Sequence, residues 1–261
     1  MRTTITILSD NQPGEGFESE HGLSWLVEAS GTILLDTGAS DLFLRNAQQL
    51  NIDLSSVEVV ALSHGHWDHG NGLKFLTDKT VTCHPAVFRK RFSRDGSLSV
   101  GLSFSEEEML EKLIFRKTET PVFLNDRVVF LGAIPRKFEF ENTPTHFTLE
   151  NGEPDMLPDD SALAIIHNEE LIILTGCAHS GVCNIVDYAK QVTGKSKVNA
   201  VLGGFHLKHV NNQVMETIAY LKSQGVGHVM PSHCTSFGVI DEFHKHWPEK
   251  AVTTGRIIDF S

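Results

Sequence analysis

Apolar and polar positions recur along this chain with two different periods, and the switches between them mark out its elements. Thr and Ile alternate over residues 3–8, the pattern of a half-buried strand. Leu23–Glu28 and Thr32–Leu35 read as two more strands around a turn at Ser30-Gly31. Leu42–Leu50 has helical spacing. Val57–Leu62, valine-rich and bounded by small polar residues, reads as a buried strand. A short helix is expected over Asn71–Leu76, and a strand over Thr80–Cys83 that ends at His84-Pro85. Ser105-Glu106-Glu107-Glu108 has the form of a capping box, opening a helix with Leu110, Leu113 and Ile114 on one face.

Val122–Leu124 and Arg127–Leu131 flank Asn125-Asp126, a hairpin signal. Lys137–Glu141 alternates around Phe138 and Phe140 and is expected as a strand, whereas the acidic, proline-containing residues 150–160 read as a loop. Ala162–Ile166 and Leu171–Leu174 form a strand pair over Asn168-Glu169. Helices are expected over Val182–Val192 and Val214–Ser223. A rhythm then stands out. Val57–Leu62 leads to His64, Leu171–Leu174 to Cys177 and His179, Val198–Leu202 to His206, and Val226–Met230 to His233. A single histidine past a strand end is ordinarily a satisfied polar group. Four at equivalent ends point to one cleft, where α/β proteins tend to place their sites.

The densest chemistry lies in Ser63-His64-Gly65-His66-Trp67-Asp68-His69-Gly70, with three histidines and an aspartate in six residues. Imidazole and carboxylate together suit zinc, manganese or iron. Gly65 is expected to turn the loop tightly so that His64 and His66 face one ion, with Asp68 and His69 facing a second. The alternative is a histidine-rich surface loop in a chain that carries 14 histidines.

Composition narrows the class. The 261 residues fit one α/β domain spanning 1–261, with no linker-like break; 84–120 is expected as an insertion capping the site. The net charge of −11 argues against nucleic acid and anionic membranes as partners and leaves a small molecule. Self-association into a homo-oligomer stays open. One dense basic cluster, Arg89-Lys90-Arg91 with Arg94, is either a solvated face or an anion clamp, Arg89 and Arg91 being its candidate contacts. There is no apolar leader and no stretch of ~20 apolar residues, so a cytoplasmic location with reduced cysteines at 83, 177, 183 and 234 is expected.

His-x-His-x-Asp-His after a buried strand resembles the signature of the metallo-β-lactamase superfamily. Leu35-Asp36-Thr37-Gly38, Thr175-Gly176-Cys177-Ala178-His179, Gly203-Gly204-Phe205-His206-Leu207 and His233-Cys234-Thr235 are similar to one branch of it, as is Glu20-His21-Gly22. That branch contains the 7,8-dihydropterin-6-methyl-4-(β-ribofuranosyl)aminobenzene-5′-phosphate synthase. The resemblance implies a four-layer αβ/βα sandwich and a pair of divalent ions, zinc first, with manganese or iron as alternatives. It implies His64, His66, Asp68, His69 and His233 as ligands, and Asp36 as the residue that fixes a ligand histidine; read alone, that segment also fits the cap of the following helix. Cys177 stands where the superfamily often has an aspartate bridging both ions. Asp159-Asp160 stands roughly where a histidine is usual, which leaves His179 as the ligand favoured there and Asp160 as a lesser candidate.

The resemblance further implies chemistry. A bound ion lowers the pKa of its water from ~15.7 to about 7, which makes a nucleophile for hydrolysis of a small, anionic ester, thioester or phosphoester. Asp68 would orient that nucleophile or take its proton. His206 is read as a substrate contact or proton donor, with a backbone-bonded structural histidine as the alternative; His21 is read the same way. A synthase-like transferase that joins a pterin to an aminobenzene ring and releases diphosphate is the second reading. A third is a non-catalytic metal- or thiol-responsive protein using Cys177 and Cys234.

Overall fold

A computed structural model describes residues 2–142 and 145–261. The first half of the chain contains β1 (Thr3–Ser9), β2 (Ser24–Glu28), β3 (Thr32–Leu35), α1 (Leu42–Gln49), β4 (Val59–Ala61) and α2 (Trp67–Gly70). It continues through β5 (Lys79–Cys83), β6 (Arg91–Ser93), α3 (Glu106–Met109) and β7 (Leu113–Lys117). The second half runs through β8 (Val122–Phe123), β9 (Val128–Phe130), β10 (Phe147–Leu149), β11 (Ala162–His167), β12 (Glu170–Thr175) and α4 (Val182–Thr193). It closes with β13 (Lys197–Gly204), α5 (Asn212–Ser223), β14 (His228–Ser232), α6 (Phe237–His244) and β15 (Ile257–Phe260).

Two sheets face each other, one ordered β15-β1-β2-β3-β4-β5-β7 and the other β14-β13-β12-β11-β9-β8. Period-two alternation fills the space between them. Ile5, Ile7, Trp25, Val27, Ile33 and Leu35 of the first meet Leu163, Ile165, Ile172, Leu174 and Leu202 of the second. The intervening residues point outwards. Leu26 and Leu34 pack with Phe43 and Ala47 of α1, and Leu171, Ile173 and Val201 pack with Ile185, Ile218 and Phe243 of α4, α5 and α6. Apolar side chains on both faces make these strands read as continuous hydrophobic runs. The result is an αβ/βα sandwich.

Several expectations are corrected. β1 is buried along its whole length rather than half-buried, because α1 covers its outer face. The helix opened at Ser105 has its capping box but stops at Met109; Leu113 and Ile114 belong to β7, pairing in parallel with β5. The expected insertion over 84–120 is therefore divided, since its last part is an edge strand of the main sheet. Its earlier part, β6, pairs with the distant β10. Lys137–Glu141 is not a strand: Glu139–Glu141 is a 3-10 turn, and the Glu141 carboxylate accepts from the N–H groups of Cys183 and Asn184 at 2.8 and 2.9 Å in the first turn of α4.

β3, β4, β5 and β7 are mutually parallel, as are β12, β13 and β14. The segments that follow β3, β4, β12, β13 and β14 meet at one edge of the sandwich, where Asp36, the His64–His69 loop, Cys177, His179, His206 and His233 stand. Among the described residues, no helix is long and apolar enough to cross a membrane.

Candidate metal centre

The loop after β4 carries His64 and His66, and α2 carries Asp68 and His69. Gly65 stands at a bend in the loop, as expected of it, and also serves close approach. A Cβ there would lie 1.9 Å from the Val87 carbonyl oxygen and 2.7 Å from an Arg91 guanidinium nitrogen, and its φ is not left-handed. Among the described non-glycine residues with left-handed φ, four follow the strands that reach this edge: Asp36 (56°), Ala178 (53°), His206 (50°) and His233 (51°). Such conformations persist only where surrounding contacts hold them, and they cluster at functional sites.

The donor atoms form overlapping groups. His64, His66 and His179 make one, and Asp68, His69 and His233 a second; His64, His69 and Cys177 make a third that joins them, the atoms of each lying within 4.8 Å of one another. His64 Nε2 is 3.0 Å from His66 Nδ1, and His69 Nε2 is 3.0 Å from His233 Nε2 and 3.2 Å from Cys177 Sγ. Three imidazoles are turned by partners on their other nitrogen. His69 Nδ1–H donates to Asp36 Oδ2 (2.7 Å), His64 Nδ1–H to Ser63 Oγ (3.0 Å) and His233 Nδ1–H to Asn11 Oδ1 (2.9 Å). Each such bond leaves Nε2 facing the group, the arrangement by which neighbours orient metal-binding histidines.

The residues fit a divalent cation on an observation of their own. Among the described residues, the buried His179 Nε2 has no hydrogen-bonding partner. Buried polar atoms are ordinarily paired, so an orphaned imidazole nitrogen on a ring of this group fits an electron-pair acceptor. Burial holds His64 and His179 well below the ordinary imidazole range and His66 at about 3, so these rings are neutral donors. Burial works against the charge on His69 too, but Asp36 and Asp68 raise it to about 9. Burial likewise opposes ionisation of Asp68, yet His69, with His21 and His233, holds its carboxyl well below the usual range. Burial and the adjacent Cys234 push the Cys177 thiol well above its ordinary value.

The remaining sequence candidates divide. His21 joins the cluster, its Nε2 3.1 Å from Asp68 Oδ2 and its ring half-exposed. The His206 and His179 ring centroids are 4.3 Å apart. Asp160 does not face the cluster. Its carboxylate accepts from the N–H groups of His179 (3.0 Å) and Ser180 (2.9 Å) and from the Ser180 hydroxyl, so it shapes the loop that carries His179 and is neither ligand nor substrate contact. Arg91 is no anion clamp. Its fully buried guanidinium pairs with Asp155 (2.7 Å) and Asp159 (2.5 Å), and Asp159 also accepts from the Gly65 N–H at 2.8 Å. Arg89 is exposed and lines a separate surface depression with Lys90 and Glu150, outside the histidine cluster.

A cavity opens beside the cluster, lined by Arg136, His146, Phe147, His179, His206 and Lys208 among others. The Phe147 ring centroid is 4.5 Å from that of His66. Arg136 donates to the carbonyls of His179 (2.9 Å) and Met156 (2.6 Å), and Lys208 Nζ to the Cys234 carbonyl (2.8 Å). Asn11, Ser63, Arg136, Phe147 and Lys208 were not singled out by the sequence. Only Ser63, adjoining the metal loop, carried a local signal.

This geometry agrees with the comparisons to known proteins. Residues 20–188 match the family model of the metallo-beta-lactamase superfamily, and the chain belongs to that superfamily. Within it, the chain is 34% identical over 94% of its length to the 7,8-dihydropterin-6-methyl-4-(beta-D-ribofuranosyl)-aminobenzene-5'-phosphate synthase of Methanocaldococcus jannaschii, covering 91% of that protein. An uncharacterized protein of the same organism is 32% identical over 89% of this chain and 91% of its own. Among solved structures, Tm1679, a metal-dependent hydrolase of the beta-lactamase superfamily, superposes with a TM-score of 0.88 at 31% identity, covering 99% of both chains.

Proposed function

We propose that this protein is a divalent-metal-dependent enzyme that hydrolyses a phosphoester bond in a small molecule bearing a planar ring. The observation that carries the reading is the placement of two histidine-containing donor groups beside a cavity that also presents Phe147, Arg136 and Lys208. His64, His66 and His179 would hold one ion, and Asp68, His69 and His233 the other, with Cys177 between them. A donor set of imidazole, carboxylate and thiolate favours zinc. Ions held there would supply Lewis acidity and a water acidified to about pKa 7.

The chain's own residues supply the rest. Asp68 is ionised and 3.1 Å from His21 Nε2, so it is placed to take a proton and His21 to pass it to solvent. Arg136 and Lys208 donate to backbone carbonyls and both line the cavity, where their charge would meet a phosphate. The Phe147 ring offers a face to a flat substrate. His206, on the cavity wall, is assigned the proton for the leaving group.

A second reading, transfer to an acceptor molecule instead of water, is favoured by the 34% identity to a synthase. The product named for that relative carries a pterin, an aminobenzene and a 5'-phosphate, chemistry that Phe147 and the two cations would also suit. The metal-loaded protein should be assayed against a panel of aryl and nucleoside phosphoesters, with and without an arylamine acceptor. Turnover without acceptor that is lost on chelation supports hydrolysis. Turnover only with acceptor supports transfer. Metal-independent turnover would remove both.

A further inference from the structure

Cys234 is left over by the reading above, and His206, which that reading uses as a proton donor, has a second ring nitrogen that it does not use. The sulfur atoms of Cys177 and Cys234 and a ring nitrogen of His206 lie within 4.8 Å of one another. The three residues follow β12, β14 and β13, three adjacent parallel strands. Both cysteines are buried free thiols. His206 Nδ1 is enclosed and has no hydrogen-bonding partner among the described residues. That is the same kind of orphaned nitrogen as that of His179, but in a different group of donors.

The surrounding backbone is shaped around these atoms. A Cβ at Gly204 would lie 2.6 Å from Cys234 Sγ and 3.3 Å from Cys177 Cα, so the missing side chain leaves room for the sulfur. The His206 N–H donates to Cys234 Sγ at 3.2 Å, and the Phe205 N–H to Thr235 Oγ1 at 3.0 Å, which ties the two loops together. His206 holds a φ of 50°, a conformation that a residue with a Cβ keeps only when its surroundings require it.

We infer that Cys177, His206 and Cys234 form a further metal site for a soft cation of the zinc type, beside the histidine pair and sharing Cys177 with it. Two thiolates and an imidazole are a recognised three-ligand zinc set that leaves the fourth position open. Thiolates select such ions over magnesium, calcium and manganese. As each sulfur–metal bond forms, the thiol gives its proton to solvent. His206 also lines the cavity, so an ion on this triad could meet the same substrate as the pair.

The inference rests on the metal-dependent reading, but the two fail separately. Chelated protein would be titrated with cadmium, following the thiolate-to-cadmium absorption band and the number of ions bound. The wild type should bind one ion beyond the histidine pair. Cys234→Ser should lose that ion and about half of the band, one of two sulfurs having been removed. His206→Gln should weaken the same ion about tenfold or more and leave the others in place, and it carries the test should the serine variant not fold. His66→Gln should lower binding to the pair without reducing the band. A full band and unchanged stoichiometry in Cys234→Ser, or, where the serine variant is unfolded, wild-type affinity for that ion in His206→Gln, would overturn the triad. Loss of the band in Cys234→Ser, with His66→Gln binding as the wild type does, would leave the triad standing and remove the pair.

Discussion

Asp36 Oδ2 lies 2.7 Å from His69 Nδ1, and the same oxygen accepts the Ser63 hydroxyl at 2.6 Å. Ser63 Oγ in turn accepts from His64 Nδ1–H at 3.0 Å, and the Ser63 N–H donates to Asp36 Oδ1 at 2.7 Å. One buried carboxylate thus sets the tautomer of a histidine in each donor group, directly for His69 and through a hydroxyl for His64. The left-handed φ of 56° at Asp36 is the backbone cost of bringing that carboxylate under both.

Asp36→Asn should therefore impair both groups of donors. The amide would present an N–H toward at least one of the donors that Asp36 now accepts. Loss of such a partner typically lowers metal affinity about 10–100-fold. Competition with a chromogenic chelator would measure it. Equal affinity in variant and wild type would show that Asp36 orients neither ring.

Arg91 holds two buried carboxylates that come from one loop. Arg91→Met would leave Asp155 and Asp159 without their cation, a change that costs about 3–5 kcal/mol when a buried pair is broken on one side. Arg89→Ala, at an exposed position, should shift stability by less than about 0.5 kcal/mol. Denaturant unfolding of both variants checks the contrast. A destabilising Arg89 change with a neutral Arg91 change would contradict it.

The difference between these two arginines was not legible in the sequence, where they are two residues apart in one basic run. Burial depends on Asp155 and Asp159, which arrive from a distant loop. The metal loop was legible because its donors are neighbours in the chain and follow a valine-rich strand. The strands ending at Cys177, His206 and His233 were legible because both faces are apolar. Asn11 was not, since an asparagine in a glycine-rich loop carries no pattern and its partner, His233, lies 222 residues away. The three-residue strands β6 and β10 were missed for the same reason, and with them the placement of Phe147 against His66. At Leu113 and Ile114 helical spacing was outweighed by pairing with β5.

Metal-free protein should be most stable near pH 6.5. His64, His66 and His179 are held below their ordinary value of 6.5 by burial, His66 at about 3. As pH falls from 6.5 toward 3 the unfolded chain takes up protons that the folded chain refuses, and stability drops. His69, raised to about 9 against its burial by Asp36 and Asp68, acts in the opposite sense. Its contribution is complete below 6.5 and is lost as pH rises through about 9. Urea unfolding of chelated protein across this range should trace a maximum with falls on both sides. A flat profile would mean that these rings are not held as the geometry indicates.

Asn11 separates the two donor groups experimentally. Its Oδ1 accepts from His233 Nδ1–H at 2.9 Å, and its Nδ2 donates to the His233 carbonyl at 3.0 Å. None of these contacts reaches His64, His66 or His179. Asn11→Ala should release the His233 ring, together with the contacts of Asn11 to His21 Nδ1 (3.2 Å) and the Gly22 N–H (3.3 Å), weakening one ion about 10–100-fold while the ion on His64, His66 and His179 keeps its affinity. Asn11→Asp keeps an acceptor for the ring and should restore most of the loss. Isothermal titration of chelated protein with zinc would then show the two ions of the histidine pair binding in separated steps in the alanine variant, where the wild type binds those two more nearly together. Parallel weakening of both steps would mean that the donor groups act as one unit, with Cys177 and His69 coupling them more tightly than their partners hold them apart.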